Sequence, residues 1–266
     1  MRAEILGSAQ DGGVPHLGCS CDACSRARDD PSLQRSAASL RVFDADRDVN
    51  YIFDVSPDIR HHVGDEFIDG VFLSHAHLGH ITGLLYFGKE AFNADEVPLY
   101  CSETVAEFLR ETSPYRTLID RENIILNEFG GSPVSVMGMR VRPVPVENRG
   151  YLTTDTHAFT IETGDTRLFY MTDIDRWTED AVAAVEDADI AVVDGCFWSS
   201  DEIDRYENVP HPPVEETLEE LGHVDTDVYL THMNHTNPVL LPDADERQQV
   251  EDAGFTVADD GMEIQL

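Results

Sequence analysis

Three histidines, His75, His77 and His80, fall within six residues in the run Ser74-His75-Ala76-His77-Leu78-Gly79-His80. Imidazole is the commonest metal ligand among the side chains. The i, i+2 spacing puts the rings of His75 and His77 on one side of an extended backbone, and Gly79 lets the chain turn before His80. The preceding Gly70-Val71-Phe72-Leu73 reads as a short buried strand. A strand end that delivers three imidazoles from one loop is half of a metal site.

A second cluster is built on sulfur. Cys19, Cys21 and Cys24 form a CxCxxC motif, and Cys101 and Cys196 complete an odd total of five cysteines. Three thiols in six residues suit a metal better than disulfides. Three thiolates need a fourth ligand to close a tetrahedron around Zn²⁺. His235, in His232-Met233-Asn234-His235, is the candidate. Such a site leaves no position for water, so it is structural, and it would tie a zinc loop at residues 16–30 to the C-terminal half of the chain.

The histidine run resembles the HxHxDH signature of the metallo-β-lactamase fold superfamily, with Gly79 where the family places an aspartate that ligates a second metal. The stretch Gly12-Gly13-Val14-Pro15-His16-Leu17-Gly18-Cys19-Ser20-Cys21-Asp22-Ala23-Cys24 is similar to two branches of it. One is the cyclic-phosphate phosphodiesterases of the carbon–phosphorus lyase pathway; the other is the B-type proteins of pyrroloquinoline quinone (PQQ) biosynthesis. Ser56-Pro57-Asp58-Ile59-Arg60, Asp194-Gly195-Cys196-Phe197-Trp198 and Thr236-Asn237-Pro238-Val239-Leu240 look like the PQQ branch. His75-Ala76-His77 and the pair His232/His235 look more like the phosphodiesterases.

The resemblance implies roles for further residues. Asp173, in Tyr170-Met171-Thr172-Asp173, matches the metal-bridging aspartate, and His232 the last histidine. Asp54 matches an aspartate that orients a metal-binding histidine. His211 matches a histidine that serves as acid or phosphate binder in the phosphodiesterase branch. Asn148 falls where a further histidine is expected, and His157, a few residues on, is the candidate substitute. One position then draws on His75, His77 and Asp173, with His157 as an addition; the other draws on His80, His232 and Asp173. The first set suits hydrolytic zinc or manganese chemistry. The second, two histidines and a carboxylate, is also the ligand set of non-haem Fe(II) oxygenases.

Three functional readings follow. The leading one is a metal-dependent hydrolase that attacks a phosphodiester or related ester of a small molecule. The second is an iron-dependent hydroxylase of the PQQ-biosynthesis type, which Gly79 and the His80/His232/Asp173 set favour. The third is a binding protein whose metal centre has decayed at Gly79 and Asn148. The cofactors expected are one structural Zn²⁺ and one or two divalent ions, Zn²⁺, Mn²⁺ or Fe²⁺, at the active site.

These residues must be held by a fold of suitable size, and 266 residues suffice for one large α/β domain. Short strands are expected at 2–7, 38–43, 50–54, 70–73 and 97–101, with helices from 81 and over 104–112. Residues 133–146 read as two strands around Met137-Gly138-Met139. A hairpin follows at 158–163 and 167–171, with turn residues Gly164-Asp165. Helices at 178–186, 214–221 and 243–253 flank strands at 190–194 and 227–230, and residues 256–266 read as a closing hairpin. Two β-rich halves with helices outside predict an α/β fold, a four-layer αββα sandwich forming a single domain over 1–266. The resemblance implies the same architecture.

Charge narrows the partners. Eighteen basic against 52 acidic residues leave a net charge of −34, and Lys89 is the single lysine. Such a field repels nucleic acids. With 41% hydrophobic residues in strand-like runs, the chain is not a disordered polyanion. No apolar stretch reaches membrane-spanning length, and Met1–Gly7 reads as a strand rather than a leader, so a cytoplasmic protein is expected, with a homodimer as the candidate assembly. A lysine-poor acidic surface suits a halophile's cytosol. Since the Debye length shrinks to about 3 Å near 1 M salt, the melting temperature should climb as KCl is raised from about 0.1 M to molar concentrations. A flat or falling curve would contradict this reading.

Overall fold

The computed structural model describes residues 1–64, 67–149, 155–203, 209 and 211–266. Two seven-stranded sheets face each other. The first runs, edge to edge, Met262–Gln265, Arg2–Gly7, Ser39–Asp44, Val49–Phe53, Gly70–Phe72, Val97–Cys101 and Ile124–Glu128. The second runs Thr256–Val257, Asp227–Thr231, Ile190–Asp194, Thr166–Met171, Thr156–Thr163, Met139–Val146 and Val134–Val136.

Each sheet is antiparallel in one part and parallel in the other. From Val49–Phe53 through Ile124–Glu128 the first sheet is parallel, and so is the second from Thr166–Met171 to Thr256–Val257. Strands buried on both faces read as near-continuous apolar runs. Val49–Phe53 and Ile190–Asp194 are buried at every position and apolar but for Asn50 and Asp194. The antiparallel strand Met139–Val146 alternates buried and exposed over its first half, as a sheet with one wet face must.

Aromatic side chains fill the space between the sheets. Phe53 stacks on Phe72 with centroids 4.9 Å apart and meets Phe159 of the other sheet edge-on at 5.5 Å. Ile5, Leu40, Val141, Leu168 and Val192 pack around them. The outer face of the first sheet is covered by the helix Glu103–Glu111 through Val105, Ala106 and Leu109, and by Tyr115–Asp120. Helices Glu179–Glu186, Val214–Leu221 and Asp245–Asp252 cover the second. The expected αββα layering is the observed one. No helix among the described residues is long and apolar enough to cross a membrane.

Two local expectations need correction, and two elements lie outside them. Residues 256–266 do not form a hairpin: Thr256–Val257 edges the second sheet and Met262–Gln265 the first. Asp260 holds the crossing between them by accepting from the main-chain N–H groups of Ser8 and Ser36. The helix after the histidines starts earlier, at Leu78, and tightens to a 3₁₀ helix over Thr82–Phe87. The strand Ile124–Glu128 and the helix Tyr115–Asp120 carry weak sequence signals and emerge only from packing against their neighbours.

Phe53→Ala would empty the centre of the inter-sheet layer. A loss of about 3–5 kcal/mol is expected for a buried aromatic, measured by urea denaturation in molar KCl. A loss below about 1 kcal/mol would mean that the layer repacks freely.

Candidate metal centre

The chemistry-bearing residues gather at the C-terminal ends of the parallel strands, where open α/β sheets place their ligands. Asp54 follows Val49–Phe53, the histidine run follows Gly70–Phe72, Asp173 follows Thr166–Met171, Asp194 ends Ile190–Asp194, and His232 follows Asp227–Thr231. Asp54 and His232 both adopt left-handed backbone, with φ of 61° and 58°. Each costs of order 1 kcal/mol for a residue with a side chain. The turn ends the strand at once and sends the side chain across the sheet edge.

Asp173 is the hub. Its Oδ1 lies 3.7 Å from His75 Nε2, and its Oδ2 lies 3.4 Å from His80 Nε2 and 3.6 Å from His232 Nε2. One carboxylate thus faces two sets of imidazoles. The ligand atoms of His75, His77 and Asp173 all lie within 4.8 Å of one another. The rings of His75 stand 4.4 Å from His77 and 4.3 Å from His80, and His80 stands 5.5 Å from His232.

Asp54 sets the tautomers. His80 Nδ1 donates to its Oδ2 at 2.9 Å, which turns Nε2 of His80 toward Asp173. The Ser74 hydroxyl, 2.8 Å from both oxygens of Asp54, lies 2.8 Å from His75 Nδ1, and so directs His75 Nε2 the same way. A carboxylate that fixes a histidine from behind makes it a better metal ligand.

The donor set fits a divalent cation. His75 Nε2, His232 Nε2 and Asp173 Oδ2 are buried and make no hydrogen bond, an expensive state unless something else satisfies them. Burial pushes His75, His77 and His232 below the ordinary imidazole range, toward the neutral form that ligates metals. For Asp173 burial acts upward, but the four rings of His232, His75, His80 and His211 outweigh it and hold the carboxyl well below its usual range. His80 goes the other way. Burial opposes its charge, yet Asp54, Asp173 and Asp11 raise it to about 10. The carboxylates there favour positive charge, which a proton on His80 or a cation beside it would satisfy.

His211 completes the wall of the site. Its Nδ1 donates to Asp194 Oδ2 at 2.6 Å, and its ring lies 5.2 Å from that of His232. Asp194 is fully buried and also accepts from the main-chain N–H of Cys196 and of Ile174. Burial lowers the His211 imidazole, but Asp194, then Asp173 and Asp11, more than offset this and hold it above its ordinary value.

His157 is not brought to the cluster. Its strand begins at Thr156, and its N–H donates to the Ser74 carbonyl at 3.0 Å. Pleating then turns the ring toward Phe129, edge-on with centroids 5.1 Å apart. Asn148 accepts from Thr156 Oγ1 at 3.4 Å, and its buried Nδ2 makes no hydrogen bond. Two features escape a reading of the sequence: the pairing of His211 with Asp194, and the approach of Asp11 Oδ1 to 3.6 Å from His80 Nε2. The signal for the second was a lone aspartate beside Gly12-Gly13, meaningful only once position 79 was seen to lack an acid.

The sulfur cluster forms a separate site. Cys19, Cys21, Cys24 and His235 present ligand atoms within 4.8 Å of one another. His235 Nδ1 lies 3.4 Å from Cys19 Sγ and 3.6 Å from Cys21 Sγ. Main-chain N–H groups aim at two of the sulfurs, His16 at Cys24 (3.1 Å) and Cys21 at Cys19 (3.3 Å). Such donors stabilise thiolates, and the Cys21 N–H holds Cys19 below the usual thiol range. Burial pushes Cys24 up to about 12, so its deprotonation calls for a cation. Three sulfurs and one imidazole fit a closed zinc site. Cys21→Ser should remove about one zinc per chain, by elemental analysis, and lower the melting temperature, because such binding couples to folding. Full zinc and an unchanged melting temperature would refute the assignment.

Comparison with known proteins agrees with this geometry. The chain is 27% identical to coenzyme PQQ synthesis protein B of Rhizobium meliloti over 305 residues, covering all of this chain and 98% of the relative. The protein of the same name from Azoarcus sp. is 28% identical over 313 residues, with both chains covered in full. Zn²⁺-bound PqqB from Methylobacterium extorquens superposes with a TM-score of 0.87 at 26% identity, again over the whole of both chains. A diphosphatase from the PhnP family superposes with a TM-score of 0.78 at 24% identity, covering 99% of this chain and 97% of that one, and so shares the fold. The β-lactamase superfamily domain matches residues 49–233. The chain therefore belongs to the β-lactamase superfamily; it is similar over its whole length to the PqqB proteins and shares its fold with the PhnP-family diphosphatase.

Proposed function

We propose that this protein is a metal-dependent hydrolase of small phosphodiesters or closely related phosphate esters. His211, buried beside His232 with Asp194 behind it, carries the reading. An imidazole whose proton is favoured by a buried carboxylate, at the edge of a metal centre, is placed as ester hydrolysis needs to protonate a leaving oxygen. His75, His77 and Asp173 would hold one divalent ion, and His80 and His232, with the other oxygen of Asp173, a second. Bound there, divalent ions polarise a phosphoryl oxygen and lower the pKa of water toward 7.

The residues of the chain do the rest. Asp54 keeps His80 and His75 with Nε2 facing Asp173, and Asp173 divides its two oxygens between the imidazole sets. Asp194 anchors His211 Nδ1, which leaves Nε2 as the atom that delivers a proton. The net charge of −34 disfavours polyanions, so a small substrate with one phosphodiester charge suits the site better than a nucleic acid.

A second reading has its own support. The full-length relatives at 27–28% identity carry the name coenzyme PQQ synthesis protein B, and His80, His232 and Asp173 form a two-histidine, one-carboxylate set. On that reading the chain would hydroxylate a tyrosine-derived precursor with Fe²⁺, O₂ and a two-electron reductant, one oxygen atom entering the precursor and the other leaving as water. Oxygen uptake with Fe²⁺ and such a precursor, and no phosphodiesterase activity with Mn²⁺ or Zn²⁺, would favour it over hydrolysis.

The hydrolytic reading predicts that Mn²⁺- or Zn²⁺-loaded protein cleaves bis(p-nitrophenyl) phosphate and that Asp173→Ala abolishes turnover. His211→Ala should behave differently with the leaving group. Nitrophenolate leaves without help, so its loss should be small; an alkoxide leaving group should slow by about 10²–10⁴-fold, the usual worth of a positioned acid. Equal losses on both substrates would remove His211 from the acid's role, and no turnover with any divalent metal would count against hydrolysis altogether.

A further inference from the structure

The second imidazole set is short of one ligand as long as only the histidine run, Asp173 and His232 are counted. His80 and His232 supply two nitrogens and Asp173 one oxygen. Position 79, which points toward this set from within the histidine run, has no side chain. The reason is visible in the packing. A Cβ on Gly79 would fall on the side chain of Asp11, 2.6 Å from its Cγ and 2.7 Å from its Cα. The two residues compete for one volume, and Asp11 fills it.

What Asp11 places there is a carboxylate. Its Oδ1 lies 3.6 Å from His80 Nε2, and the ligand atoms of Asp11, His80 and His232 all lie within 4.8 Å of one another. Asp173 Oδ2 lies 3.4 Å from His80 Nε2 and 3.6 Å from His232 Nε2, so both carboxylates flank the same two imidazoles. The Asp11 side chain is 40% exposed, so it stands at the mouth of the site while the other three are buried. Its loop is nevertheless fixed. Gln10 N–H donates to the Met233 carbonyl, Met233 N–H donates to the Ser8 carbonyl, and Gly13 N–H donates to Gln10, at 2.8–2.9 Å. The main chain beside Asp11 is thereby fastened to the residue next to His232.

We infer that Asp11 is a ligand of the second divalent ion, supplied from the N-terminal loop in place of a side chain at position 79. This rests on the metal-centre reading above and completes its donor set: Asp11, His80, His232 and Asp173. The competing role is an ion pair with protonated His80 and no part in metal binding. Metal occupancy separates the two, whatever the reaction turns out to be.

The test compares the full-length protein with Asp11→Asn, which keeps the shape and removes the charge. Each is equilibrated with Mn²⁺ or Zn²⁺ across a series of chelator-buffered concentrations, and bound metal is counted. Wild type should take up about three ions per chain, one at the cysteines and two at the centre. Asp11→Asn should keep the cysteine zinc and one ion at the centre, with affinity for the other weakened at least about tenfold, as loss of metal-site support commonly does. With Mn²⁺ at the centre, paramagnetic resonance should change from a coupled pair to an isolated ion. Gly79→Ala should give the same loss with Asp11 intact, because the added Cβ displaces its carboxylate. Unchanged affinity for the second ion in Asp11→Asn would overturn the inference, and so would a wild-type centre that never holds more than one ion. If occupancy follows Asp11 but no phosphate ester is hydrolysed, the ligand assignment stands and the hydrolytic reading falls.

Discussion

A buried negative charge governs this structure. Asp173 is 3% exposed at the seam of the two sheets, and an isolated carboxylate there would cost several kcal/mol. Four imidazoles surround it: burial pushes His75 and His232 toward neutrality, while neighbouring carboxylates hold His80 and His211 above the ordinary imidazole range. The neutral rings carry nothing to offset Asp173, Asp54 and Asp11; positive charge there would come from protons favoured on His80 and His211 or from bound cations. A centre of this composition is complete only with cations, and the orphaned nitrogens of His75 and His232 face the place where they would sit.

The architecture exists to bring these groups to one edge. Parallel strands in both sheets end on the same side, so residues from 54 to 232 reach the seam although they are far apart in sequence. The aromatic layer of Phe53, Phe72 and Phe159 keeps the sheets in register directly behind it. Left-handed backbone at Asp54 and His232 then converts strand direction into side-chain direction. The cysteine cluster adds a tether. It joins the loop after the first strand to His235, three residues beyond His232, and so fixes the N-terminal loop beside the centre.

Electrostatics act on two scales. Far from the site, a net charge of −34 creates a field that disfavours polyanions and that salt screens. Within it, carboxylates stand behind the imidazoles: Asp54 behind His80, and Asp194 behind His211. Each pairing chooses which nitrogen faces the cleft. On the hydrolytic proposal, a protein so acidic would still receive a small anion, because the groups that meet it would be imidazoles and the cations they hold.

Much of this was legible in the chain alone. HxHxxH after an apolar run marked the metal loop, CxCxxC with a distant histidine marked the zinc knot, and the largely apolar run at 190–194 marked a buried strand. These signals are local, carried by spacing within a few residues. Resemblance to a known family, not spacing, pointed to Asp173, His232, Asp54 and His211. What only the tertiary structure decided depends on residues distant in sequence. It turned His157 toward Phe129 because pleat and register, not composition, aim a strand side chain. It divided residues 256–266 between two sheets, since edge pairing is settled by whichever neighbours remain unpaired. It also set Asp11 into the space left by Gly79, a substitution between residues 68 positions apart that no motif contains, because steric exclusion is a property of volume and not of sequence.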